Sequence, residues 1–172
     1  LRGACLGHRR LAIIDLSLDS SQPFTDTDGR YHLVFNGEIY GFAHLREVLL
    51  KEGCSLRTES DTEVILEGFK SWGLFELCQK MNGMFAFAIW DEVEQRLFVA
   101  RDRYGEKPFY YRFKEGKLLF ASSARALYLQ NEKPPLSSLG LYAFLHQAFT
   151  LPSYPIIEDL QALEPATCGE IF

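Results

Sequence analysis

No stretch of this sequence is long and apolar enough to span a bilayer. The longest nearly uninterrupted apolar run, Met84 to Trp90, falls far short of the ~20 residues a membrane helix requires. The opening Leu1-Arg2-Gly3-Ala4 shows no charged segment leading into an apolar core, so no signal peptide is visible. Basic clusters are lacking too. Nothing longer than Arg9-Arg10 occurs, and 18 Lys and Arg against 23 Asp and Glu leave a net charge of −5. That argues against nucleic acid as a partner, since duplex binding relies on clustered cations. The four cysteines (Cys5, Cys54, Cys78, Cys168) are scattered without a CxxC, and His8, His32, His44 and His146 show no ligand spacing. A disulfide scaffold or a bound metal is therefore not expected, and the thiols read as reduced ones in a cytoplasmic protein. Neither GxGxxG nor GxxxxGK[ST] occurs, which leaves this chain without a nucleotide loop, and no Ser or Cys sits in a nucleophile elbow.

What is present is ordinary globular composition: 172 residues, 47% apolar and 24% charged, enough for one full domain with its own core. Aromatics at 14% suggest a sheet-rich interior. Residues 4–15 read as an aliphatic strand and 17–29 as a turn-dense loop; Tyr31 to Phe35 then alternates as a strand into Asn36-Gly37. Leu45, Val48 and Leu49 stand at helical spacing, predicting a helix over about 42–52 ended by Gly53. Ser60-Asp61-Thr62-Glu63 is a capping box, in which the Ser60 hydroxyl accepts from Glu63 and the Glu63 carboxylate reaches back. The helix behind it ends at Gly73, and a short one follows over 74–81. The period then becomes two: 84–90 with 96–100, and 109–113 with 117–121, are predicted hairpins, and the first strand is apolar on both faces, as in a sheet covered on both sides. Lys133-Pro134-Pro135 marks the strongest break, followed by an amphipathic helix over 136–149 and an irregular Pro-bearing segment. The pattern is α+β, with antiparallel strands and helices outside them.

Four polar features bear on chemistry. Arg9-Arg10 lies within the first predicted strand, where one side chain should face inward; it is either a solvated pair or a two-pronged binder of a carboxylate. Asn36-Gly37-Glu38 is by default a tight turn. Alternatively its amide and backbone N–H serve a developing oxyanion, where one donor is worth about 2.7–4 kcal/mol. Asp61 in the first turn of a helix is favoured by the dipole and could equally hold an ammonium group. The run Arg101 to Pro108 reads by itself as a surface cluster of ion pairs.

Taken in order, LGHRRLAIIDLS, VFNGEIY, TESDTEVIL, NGMFAFAIWD and RLFVARDRYGEKPFYY resemble the glutaminase domain of glutamine-hydrolysing asparagine synthetase, in register from about residue 6 to 121 and more loosely to 172. The class II glutamine amidotransferases, which are N-terminal-nucleophile hydrolases, share the NGE and SDTE segments. The resemblance implies a four-layer α-β-β-α sandwich of two antiparallel sheets flanked by helices. Residues 1–132 would be a glutamine amidotransferase type 2 domain lacking its N-terminal part. Residues 133–172 would be the end of that domain and the approach to an ATP-dependent synthetase domain outside the chain.

The same resemblance assigns roles. Arg10 would bind the α-carboxylate of L-glutamine, with the backbone of Leu11, Ala12, Ile13 and Ile14 lining the pocket. Asp61 would take the α-ammonium, Glu38 would contact the substrate, and Asn36 and Gly37 would form the oxyanion hole. In the family the nucleophile is an N-terminal cysteine whose own α-amine, with a pKa of about 7.7–8.0, acts as base. Leu1 is not that cysteine, and Cys5, within the predicted strand, has no free amine. The chain is therefore expected to be a fragment that does not itself hydrolyse glutamine. Gly41 stands where a second Asn is usual and Ser123 where a Glu is usual. No cofactor is expected here; ATP and Mg would belong to the synthetase domain, the partner of the same parent chain, with a homodimer as a further partner and no membrane. Two alternatives stay open: an asparagine-synthetase-like amidotransferase serving another acceptor, such as a peptide or cell-surface intermediate, and an inert module kept for contacts.

Overall fold

The computed structural model describes residues 1, 3–9, 20–128, 133–150 and 154–171, and the chain is α+β with two antiparallel sheets. It divides into two units, 1–106 with 166–172 and 107–165, each holding one sheet. In the first unit, β1 (Phe24–Thr25), β2 (Tyr31–Ile39), β3 (Gly83–Asp91), β4 (Arg96–Arg101) and β8 (Cys168–Ile171) lie side by side in that order. Helices α1 (Phe42–Lys51) and α2 (Asp61–Lys80) belong to the same unit. The second unit has β5 (Tyr110–Lys114) between β6 (Lys117–Ala121) and β7 (Gln161–Ala162), with helix α3 (Ser138–Gln147).

Period-two alternation sorts the side chains of the first sheet. Leu33, Phe35 and Ile39 of β2, Phe85, Phe87 and Ile89 of β3 and Ala100 of β4 form one core with Leu45 and Leu49 of α1 and Val64, Ile65, Leu66, Phe69 and Leu77 of α2. Each such side chain, once removed from water, contributes about 1.5–3 kcal/mol. The intervening residues His32, Val34 and Asn36 face the other way. Residues Phe85 to Trp90 are all buried, as the apolar character of both strand faces predicts. The two predicted hairpins form as β3–β4 and β5–β6, and α1, α3 and both parts of α2 occur at the predicted places.

Several expectations need correction. Residues 4–9 form no strand, Cys5 and Arg9 are exposed, and 10–15 lie outside the described residues. The capping box forms by half: the Ser60 hydroxyl accepts from Glu63 N–H at 3.3 Å, but the Glu63 carboxylate passes Ser60 to take Thr58 N–H and Oγ1, both at 2.7 Å, and Arg57 N–H at 3.0 Å. Ser60 N–H turns instead to Thr58 Oγ1 at 3.3 Å. The 101–108 run does not lie wholly at the surface, because Asp102 is buried and accepts from the backbone of Phe85, Tyr104 and Glu106. The C-terminal segment is not wholly irregular either, since β8 pairs with β4 from Leu97↔Ile171 to Ala100↔Cys168.

The largest correction concerns Asn36-Gly37, which is not a turn. The strand runs straight through it, with Asn36↔Ala86, Gly37↔Phe85 and Ile39↔Gly83 in register. Two glycines make this possible. A Cβ on Gly37 would lie 2.2 Å from the Met84 carbonyl oxygen, and one on Gly83 would lie 2.2 Å from that of Glu38. Both adopt a φ of 157°, which few other residues tolerate. The backbones therefore approach more closely here than side chains permit.

Candidate functional site

In an antiparallel ladder successive residues turn their N–H and C=O groups alternately toward the partner strand and away from it. Tyr31 and Phe35 fix the phase for β2. Tyr31 N–H donates to Asp26 Oδ1 at 3.0 Å, and Phe35 N–H donates to the side-chain oxygen of Gln22 at 2.7 Å. Odd-numbered residues of β2 thus point their amides away from β3, toward the edge that β1 pairs at His32 and Leu33. Ile39 shares that phase, and its N–H lies near enough to the Asp61 carboxylate to lower that group's pKa. Between Phe35 and Ile39 lies Gly37. Its N–H projects on the same side, without a hydrogen-bond partner among the described residues.

Asp61 arrives there because Ser60 caps α2, which places Asp61 at the first helical position. Its side chain is buried, and no described Lys or Arg forms an ion pair with it. Burial pushes its pKa above the ordinary carboxylate value, the N–H groups of Ile39 and Thr62 oppose that rise, and the nearby Glu38 charge adds to it. This end of β2 therefore carries a buried acid whose charge no described cation balances. Half-buried Asn36 lies one residue from Gly37, and its side-chain amide bonds to no described residue.

Of the residues predicted from sequence, Asn36, Gly37, Glu38 and Asp61 are thus brought to one strand end. Arg10, Leu11, Ala12, Ile13 and Ile14 lie outside the described residues. A cavity of about 170 Å³, lined by Phe75, Cys78, Phe85 and Cys168 among others, contains none of these residues. Its thiol is no nucleophile at neutral pH: burial and the adjoining Cys168 push Cys78 up to about 12.

Comparison with known proteins decides the family. A model of the glutamine amidotransferase domain matches residues 2–171. The chain belongs to the glutamine amidotransferase domain family. It is 45% identical over 121 residues to amidase chyE of Penicillium rubens, covering 70% of this chain and 18% of that protein. It is 34% identical to glutamine-hydrolysing asparagine synthetase 1 of Bacillus subtilis, covering 94% of this chain and 25% of that protein. The resemblance to the glutaminase domain of asparagine synthetase therefore extends through nearly the whole chain, which spans 18–25% of the length of these two relatives. Among solved structures, glutamine phosphoribosylpyrophosphate amidotransferase from B. subtilis superimposes with a TM-score of 0.59 at 26% identity, covering 69% of this chain and 27% of that one. The architecture is accordingly that of the N-terminal-nucleophile amidotransferases.

Sequence reasoning missed two groups at this amidotransferase strand end. Gln22 was absorbed into a turn-dense loop, although it occupies the edge beside Phe35. Asp102 anchors the 101–106 loop to the residue facing Gly37: Asp102 N–H donates to the Phe85 carbonyl at 2.8 Å, and Phe85 N–H donates to Asp102 Oδ2 at 3.2 Å. Neither signal is periodic, so pattern reading could not find it. Among the described residues, no helix is long and apolar enough to cross a membrane.

Proposed function

We propose that this amidotransferase domain binds L-glutamine beside the edge of β2 that faces away from β3. Asp61 takes the α-ammonium, Arg10 the α-carboxylate, the backbone of Leu11 to Ile14 lines the pocket, and Glu38 contacts the substrate. When the thiolate of an N-terminal cysteine attacks the side-chain amide carbon, the new oxyanion receives hydrogen bonds from the Asn36 amide and the Gly37 N–H. Protonated by the cysteine's α-ammonium, the amide nitrogen leaves as ammonia, and water hydrolyses the glutamyl thioester to glutamate. Ammonia then passes to an ATP- and Mg-dependent domain of the same parent chain, which amidates aspartate in the cytoplasm.

The observation that carries this reading is the pairing of a buried carboxylate lacking a described cation with an uncommitted backbone donor two residues from its anchor. An ammonium group relieves the first and a carbonyl oxygen engages the second. Calorimetric titration of the chain with L-glutamine tests it: saturable binding is expected, strengthening as pH rises through the Asp61 titration and abolished in Asp61→Asn. Equal affinity in the variant overturns the reading. A Cys5→Ala control that lowered any ammonia release would overturn the assignment of the nucleophile to an N-terminal cysteine.

Relatives of both names match this chain at similar identity, the amidase of Penicillium rubens at 45% over 121 residues and asparagine synthetase 3 of Bacillus subtilis at 41% over 124. Amidation of an acceptor other than aspartate is therefore the competing reading. Supplying the parent protein with glutamine, ATP and either aspartate or other carboxylic acids, and measuring the amide formed, separates the two.

A further inference from the structure

Gln22 lies in the segment before β1, outside every motif that carries an assigned site residue. Its side chain nevertheless makes two bonds that meet at the site. The oxygen accepts from Phe35 N–H at 2.7 Å, and the nitrogen donates to Thr62 Oγ1 at 3.4 Å. Phe35 precedes Asn36, and Thr62 follows Asp61. The amide is thus a strut between the strand that carries Asn36 and Gly37 and the helix start that carries Asp61. Both residues it joins are buried, Phe35 at 5% and Thr62 at 2% exposure, so no water replaces the strut without displacing packed side chains.

We infer that Gln22 is a positioning residue that fixes the separation between the amide-recognising donors, Asn36 and Gly37, and the ammonium-recognising acceptor, Asp61. The inference rests on the glutamine-site reading above. A ligand touching both ends of the site must match their spacing, and a ligand touching only the Asp61 end need not. Gln22 therefore sets selectivity for the side-chain amide and contributes nothing to recognition of the α-ammonium group.

L-Norvaline has the α-groups of glutamine and an apolar side chain without the amide, so it reports the Asp61 end alone. The affinities of the full 172-residue chain for L-glutamine and L-norvaline are measured by calorimetry in the unaltered protein and in Gln22→Leu. Preference for glutamine is expected to fall about 10-fold, within the range of coupling between contacting residues, while norvaline affinity holds. Thr62→Val breaks the strut from its other end with little change in shape and should reproduce the loss, and Thr62→Ser should restore it. That pair keeps the test decisive where Gln22→Leu does not fold. An unaltered protein that shows no preference for glutamine overturns the site reading and this inference with it. A preference kept in both Gln22→Leu and Thr62→Val, or a loss of affinity for the two ligands by one factor, overturns the positioning role alone.

Discussion

The two ends of the β2–β3 pair handle polar groups in opposite ways. At the Tyr31↔Asp91 end the buried carboxylates Asp26 and Asp91 each meet a cation, Lys70 and Arg30. Arg30 grips Asp91 with three bonds of 2.7–3.2 Å, Asp91 also accepts from Val93 and Glu94 N–H, and Asp26 accepts from the backbone of Arg30 and Tyr31. Burial pushes the Asp91 pKa up, yet Arg30 and the Glu94 and Val93 amides pull it below the ordinary value. At the Ile39↔Gly83 end Asp61 is buried without a described cation and its pKa is raised, while the Gly37 N–H and the Asn36 amide bond to no described residue. One end is saturated and serves stability. The other keeps, among the described residues, hydrogen-bonding capacity to spare, the contrast on which the glutamine-site proposal rests.

The contrast is easiest to break at Asn36. In a parent chain bearing the N-terminal cysteine, Asn36→Ala should lower kcat for ammonia release by about 10²–10³ while the thermal midpoint stays put, because the amide bonds to no described residue. Unchanged kcat would remove its oxyanion role. Gly37→Ala comes next, because its methyl group must displace the β3 backbone: a destabilisation of about 1–3 kcal/mol in urea unfolding is expected, with loss of glutamine binding. An alanine variant as stable as the original would show that the close approach is unimportant.

The two carboxylates sharpen the comparison through pH. The folded-state pKa of Asp61 lies above its unfolded value, so its contribution to stability is present at low pH and is lost as pH rises through that window. Asp61→Asn should therefore be more stable than the original near neutrality and bind no glutamine, a trade of function against stability. Asp91 has the opposite sign: its lowered folded pKa gives stability above the unfolded value that disappears as pH falls through the folded one. Asp91→Asn should lose stability at neutral pH, match the original in acid and leave glutamine affinity unaltered. Denaturant midpoints between pH 3 and 8 would reverse the comparison if the two variants shifted in the same direction. Gln22→Leu, acting only through spacing, should have the smallest effect on turnover of this group.

The parts of this architecture legible in the sequence are those written in local patterns. The β3–β4 and β5–β6 hairpins follow from alternation, and α2 follows from Ser60 at its start and the break at Gly73, whose φ is 76°. Asn36-Gly37 misled for a physical reason: the dipeptide favours a turn in isolation, and only the closeness of β3, permitted by a second glycine 46 positions along, holds it extended. Gln22 could not be read because its partners lie 13 and 40 residues away. Strand β8 (CGEI) has too short an alternation to announce itself. The candidate site was legible where motif order fixed it, in Asn36, Gly37, Glu38 and Asp61. The strut that spaces those residues was not.

Strand β8 has a consequence for how the protein is made. Leu97 to Ala100 gain their outer neighbour from Cys168 to Ile171, so a sheet whose other strands lie within residues 24–101 waits for a segment some seventy residues further on. A ribosome must deliver the entire 107–165 unit before β4 stops being an edge. Until then its unpaired amides and apolar side chains are exposed to any passing strand, and nascent chains halted within that interval are the ones a chaperone would have to shield.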